Sequence, residues 1–304
     1  MAGSKKRVDN RKMQQQGMIG PGLSFAAAEA YKLLRTNLQF SLPEKKCLII
    51  GVTSSVRGEG KSTTSVNLAY TIAQAGRKTL LIDADMRLPS VAAKMEVHSS
   101  PGLSNLIAGL GNEQDCLRRS SYFDNWFILP AGDIPPNPSE LLGSERMHTL
   151  LQRYEEVFDV IVIDLPPINI VADALVISKW TDGLVAVVRQ NYTDRRALAD
   201  CMYQVEKLGA KFLGFVMTDA AVGESSYKSY KKYGKYGNKY GYGYDYGYEE
   251  SANKTGSRKK QAFLDATTEE KPRRTSSRHG SDQPSEDAET DVDAAVEELL
   301  KDTE

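Results

Sequence analysis

Apolar residues fall along this chain in short, almost unbroken runs divided by longer amphipathic stretches. CLIIGVT, TLLIDAD, WFILPAG, VIVID, GLVAVVRQ and KFLGFVMT are each greasy enough to be covered on both faces, as strands of a parallel sheet are. Between them, VNLAYTIAQA, ELLGSERMHTLLQRYEEVF, ADALVISKW and TDRRALADCMYQVEKLG carry helical spacing, and FAAAEAYKLLRTNLQF behind Ser24 predicts a capped helix ahead of the first strand. Strands alternating with helices in this way predict an α/β fold: three layers, doubly wound, with a mostly parallel sheet.

The pattern stops near Val222, which divides the chain of 304 residues into a globular part and a long tail. We expect a flexible basic N-terminus over 1–23, one domain over 24–222, a tyrosine-rich segment over 223–248 and a disordered acidic extension over 249–304. The overall charge of -1 conceals that asymmetry, since SKKRVDNRK is basic and SEDAETDVDAAVEELLKDTE acidic; both read first as solvated termini. Cys47, Cys116 and Cys201 stand far apart with no CxxC pair, which argues against a disulfide framework and a thiolate metal site. No apolar run reaches the roughly 18 residues of a membrane span, and the basic start lacks a signal-type apolar core. A cytoplasmic protein is expected, brought to a membrane only by a partner.

The candidate chemistry sits between the first strand and the helix after it. SSVRGEGKST carries Gly58, Glu59, Gly60, Lys61, Ser62 and Thr63 at the end of a GxxxxGK[ST] phosphate loop, with Ser55 where the first glycine belongs. In such a loop backbone amides close around phosphate oxygens, the lysine reaches the outer phosphates and the Ser62 hydroxyl can ligand magnesium. IDADMR ends one strand with Asp83 and Asp85, expected on one side of an extended chain, and VIVID ends another with Asp164. Any of the three taken alone reads equally as a helix cap. Together at the carboxyl ends of strands, beside Lys61, they read as a site for ATP and Mg2+, which puts the fold in the P-loop NTPase type.

SSVRGEGKST, IDADMR and VIVIDLPP, followed by a terminal tyrosine cluster, resemble the motifs of the bacterial tyrosine kinases of the CpsD/CapB type, which serve capsule and exopolysaccharide systems. The likeness runs from EAYKLLRTN through PAGDIPPNPSELLGS to about Met217. It implies an ATP-dependent protein-tyrosine kinase in which Lys61, Asp83 and Asp85 are catalytic. Asp83 would accept the tyrosine proton, Ser62, Asp83 and Asp164 would hold the metal, and Arg87 would steady a phosphate or a neighbouring subunit. It further implies control of polysaccharide synthesis or export, a separate membrane activator or chain-length regulator, a cognate tyrosine phosphatase and no nucleic-acid partner. A ring of subunits would be joined through Glu29, Lys32 and Arg35, the counterparts of an ExxRxxR helix with lysine in place of one arginine. Partitioning and division-site ATPases, or a nucleotide-binding scaffold with an adhesive tail, are the competing readings. Val56 stands where those ATPases place an extra lysine, and this favours the kinase.

The acceptors would be Tyr227, Tyr230, Tyr233, Tyr236, Tyr240, Tyr242, Tyr244, Tyr246 and Tyr248. Interleaved glycines disfavour both helix and strand there. Five lysines against one aspartate give Tyr227–Tyr248 a charge of +4. Each phosphate adds about -1.5 to -2, so three modified tyrosines would cancel it and expel the segment from an aspartate-lined site.

Overall fold

A computed structural model describes residues 19–220, so the tyrosine segment and the acidic extension lie outside the described residues. Helix α1 (Phe25–Ser41) begins as expected, with the Ser24 hydroxyl accepting from the Ala27 amide. There follow β1 (Leu48–Ser54), α2 (Lys61–Gln74), β2 (Thr79–Asp83), the short helices α3 (Val91–Met95), α4 (Leu103–Ala108) and α5 (Glu113–Cys116), and the strands β3 (Arg118–Arg119) and β4 (Trp126–Leu129). The chain continues through α6 (Pro138–Leu142), α7 (Glu145–Val157), β5 (Val160–Asp164), α8 (Asp173–Ser178), β6 (Gly183–Arg189), α9 (Arg195–Lys207) and β7 (Phe212–Thr218).

All six expected strands form, in the order β3-β4-β2-β5-β1-β6-β7, and every pairing is parallel except β3 against β4. The alternation of a strand sends successive side chains to opposite faces, so the sheet is greased on both. Ile50, Val52, Leu81, Val160 and Val162 pack on one face beneath α1, α2 and α3. Ile49, Leu80, Ile82, Ile161 and Ile163 pack on the other, beneath α4 to α9.

Two expectations need correction. The single helix read through ELLGSERMHTLLQRYEEVF is two, broken at Gly143, because Ser144 leaves helical geometry to cap α7 and accepts the Met147 amide. The tiny β3 and helices α3, α4 and α5 were not foreseen; two to six residues are too few to display a period.

Candidate functional site

Strands β1, β5 and β2 are neighbours, and their carboxyl ends open on one crevice. Register places Asp83 beside Asp164 and Asp164 beside Val52, so two acids and the start of the phosphate loop are juxtaposed before any side chain is considered. The loop then turns through Gly58 at φ 83° and Gly60 at φ 95°, backbone that side chains with a Cβ rarely adopt. Ser55 needs no such freedom, since it is not among the residues with positive φ. Its side chain is fully buried with the Cys201 thiol of α9 as polar neighbour and no full hydrogen bond. The side chain that replaces the first glycine therefore points beneath the loop.

Lys61 opens α2, and its ammonium lies 2.8 Å from Asp85 Oδ2, 3.5 Å from Asp164 Oδ2 and 3.2 Å from the Ser62 hydroxyl. Burial opposes the charge on Lys61, but Asp164, Asp85 and Asp83 outweigh it and raise its pKa. Asp164 is fully buried and held by the Ser65 hydroxyl, which donates to Oδ1 at 2.9 Å. Thr63, by contrast, is only half-buried on the outer side of the first turn.

The acids at 83 and 85 do not share a face. Strand β2 ends at Asp83, so the alternation that would align them no longer applies. Asp85 turns to Lys61, while Asp83 accepts the amides of Asp85 at 3.2 Å, Ser90 at 3.1 Å and Val91 at 3.0 Å, which ties the start of α3 to the sheet. Its pKa is pushed up from an ordinary 3.8 to about 7 by burial and by the charge on Asp164, against the pull of the Val91 amide, Lys61 and the Ser90 amide. Folding thus favours the protonated acid, so stability is lost as pH rises from about 4 towards 7. The melting temperature of the nucleotide-free chain is expected to fall between about pH 4 and pH 7, and Asp83→Asn to flatten that slope; an identical slope in the variant would assign the dependence elsewhere.

Arg87 makes a two-pronged pair with the fully buried carboxylate of Asp173, at 2.8 and 3.1 Å, and reaches the Ser139 hydroxyl at 3.2 Å. Ser139 itself donates to Asp173. This knot binds the segment after β2, the start of α6 and the start of α8 to one another. Asp173 and Ser139 carried no signal beyond ordinary helix-start chemistry. Lys94 was missed as well: it is half-buried on α3, where burial lowers its pKa, Asp164 opposes that and Lys61 adds to it, so it faces the same crevice. The three residues expected at a subunit interface lie on α1. Glu29 and Lys32 pair with each other at 2.8 Å, and Arg35 donates to the Thr71 carbonyl of α2 at 2.7 Å, so Arg35 is occupied in docking α1 on its own domain.

Oxygen donors gathered around Lys61 suit a hard cation beside phosphate. Among the described residues no three acidic, histidine or cysteine side chains converge as a metal cage. Magnesium keeps several waters and leans on substrate phosphates. Ser62 and Asp164 could hold it, with Asp83 beside Asp164 in the register.

A parallel sheet with this loop and these acids at its carboxyl edge defines a fold of the P-loop NTPase type. The AAA domain family matches residues 47–210. Tyrosine-protein kinase CpsD of Streptococcus agalactiae is 37% identical over 203 residues, 66% of this chain and 87% of that protein. YwqD of Bacillus subtilis, also named a tyrosine-protein kinase, is 34% identical over 205 residues, 67% of this chain and 85% of its own. The solved kinase domain of Escherichia coli tyrosine kinase ETK is similar at a TM-score of 0.60 and 29% identity, covering 72% of this chain and 80% of that one. This chain belongs to the family of bacterial tyrosine-protein kinases.

Proposed function

We propose that the chain transfers the outer phosphoryl group of ATP, with magnesium, to the tyrosines of its own C-terminal segment, Tyr227 to Tyr248. One observation carries the reading: Lys61, Ser62, Asp85 and Asp164 meet within hydrogen-bond or ion-pair reach at the strand ends. Phosphoryl transfer through a loose transition state asks mainly for positioning and for neutralised charge. Lys61 supplies a buried cation for the outer phosphates once nucleotide displaces Asp85 from it. Ser62 and Asp164 would hold magnesium, which when bound would draw charge from the phosphate oxygens. The acceptor hydroxyl, with pKa near 10, loses its proton late. Asp83 is the base that the family resemblance indicates, and its raised pKa suits a proton acceptor near neutral pH. Its Oδ2 is held by the Ser90 and Val91 amides, so Oδ1, which accepts the Asp85 amide at 3.2 Å, is the oxygen freer to take the proton. Asp85 is the acid already facing the lysine and orders the cation or its waters.

The position of Thr218 supports the acceptor segment in that role. Thr218 at the end of β7 donates to the Glu59 carbonyl of the phosphate loop at 2.7 Å, so the chain departs from the rim of the site. Its charge of +4 complements the acids there, and phosphorylation reverses it. Control of polysaccharide export, a membrane-bound activator, a phosphatase that resets the tail and a ring built on α1 belong to the same proposal. No helix among the described residues is long and apolar enough to cross a membrane. Incubation with labelled ATP and magnesium, beside the activator's cytoplasmic segment, tests the reading. Phosphotyrosine between 227 and 248 is expected; free phosphate alone would indicate an ATPase switch.

A further inference from the structure

A phosphate cradle turns successive backbone amides inward, which forces the carbonyls of the same residues outward, where they too require partners. In this chain three consecutive outward carbonyls are each met by a side chain from elsewhere. Arg57 accepts from the Tyr192 hydroxyl at 3.0 Å, Gly58 from Arg189 Nη1 at 3.3 Å and Glu59 from Thr218 at 2.7 Å. The Glu59 side chain, expected to belong to the nucleotide site, is instead fully buried behind the loop. Its Oε2 accepts the Val56 amide at 2.8 Å, and its Oε1 accepts the Thr193 hydroxyl.

Two of those partners, Tyr192 and Thr193, lie in the turn after β6, and Arg189 is the last residue of that strand. The turn is itself firmly made: Thr193 Oγ1 accepts the Arg189 amide at 2.9 Å, and the Tyr192 and Thr193 amides return to the Arg189 carbonyl. Asn191 takes φ 58°, a conformation asparagine tolerates better than most. Arg189 is held by Asp219 at 2.6 Å and lies beside the Tyr192 ring. The ring covers Gly58 so closely that an added Cβ would sit 3.1 Å from its hydroxyl.

We infer that the turn Arg189–Thr193 is a positioning element for the phosphate loop, with the Thr193–Glu59 contact at its centre. It fixes the outward side of the cradle before nucleotide arrives, so that the amides of Gly58 to Ser62 need no reorganisation to receive phosphate. Preorganisation of this kind lowers the cost of binding rather than of chemistry. A deletion in the turn therefore acts on ATP affinity and spares the rate at saturation. The inference rests on the nucleotide reading of the loop and is independent of which tyrosine is the acceptor.

The full-length chain with Thr193→Val keeps the size of the side chain and removes the hydroxyl. Calorimetric titration with MgATP is expected to give a Kd raised about tenfold, from the loss of the hydrogen bond to the Glu59 carboxylate together with the acceptor for the Arg189 amide. KM for ATP should rise in parallel, kcat should be little changed, and Thr193→Ser should restore both constants. Tyr192→Phe, at a half-exposed position, deletes a single hydroxyl and should weaken binding in the same direction by a few-fold. A parental Kd in both variants, or a lower melting temperature with Kd unmoved, would overturn the inference and leave the turn as plain scaffold. A parent chain that itself ignores MgATP would overturn the nucleotide reading and this inference together.

Discussion

Lys61→Met is expected to cut phosphoryl transfer by roughly 10²–10³-fold or more at saturating MgATP, the scale of removing one preorganised charge-stabilising donor from an active site. In this chain the loss has a second component. The ammonium is the cation among the acids 85, 164 and 83, and it sits 2.8 Å from the first of these. Without it the like charges at the strand ends are relieved by protons, so Asp83 is held protonated to still higher pH. The variant should thus melt with a steeper fall towards alkaline pH than the parent. It should nevertheless remain a good acceptor. Mixed with an active chain truncated before Tyr227, it reports whether transfer crosses subunits: phosphotyrosine in the Lys61→Met chain means that it does.

Arg87→Ala should be strongly destabilising although the residue lies outside the loop. It strands the carboxylate of Asp173, which is fully buried, with only the Ser139 hydroxyl for company. Breaking a buried ion pair costs roughly 3–5 kcal/mol. The Arg87 side chain is 37% exposed, which screens its end of the pair and brings the expectation down to about 2–3 kcal/mol. For a domain of this size that is roughly 5–10 °C in melting temperature. Arg87→Lys should recover only part, because an ammonium cannot span both carboxylate oxygens. An Arg87→Ala chain melting with the parent would show that the knot contributes no stability.

The fold was legible because its strands are buried on both faces and need no partner pattern to be recognised, as VIVID and TLLIDAD illustrate. The phosphate loop was legible because Gly58, Gly60 and Lys61 hold positions that few other residues could fill. What the sequence hid is what depends on distance in the chain. Nothing near Thr193 hints that its hydroxyl answers a glutamate 134 residues earlier, and nothing near Asp173 hints at Arg87. Asp83 misled for a different reason. A strand ending two residues early turned an expected pair of acids into one that pairs with the lysine and one that accepts the amides at a helix start. Glu29, Lys32 and Arg35 were legible as one helical face, but not that Arg35 is taken up by Thr71.

Titration of ATP in the presence and absence of magnesium, on the parent chain and on Asp164→Asn, bears most directly on the convergence of Lys61, Ser62, Asp85 and Asp164. The parent is expected to bind MgATP more tightly than ATP with the metal chelated, and the substitution should erase most of that difference. Equal affinity for ATP with and without magnesium in the parent, or a metal dependence that survives at Asp164→Asn, would contradict a shared magnesium-nucleotide site at the strand ends.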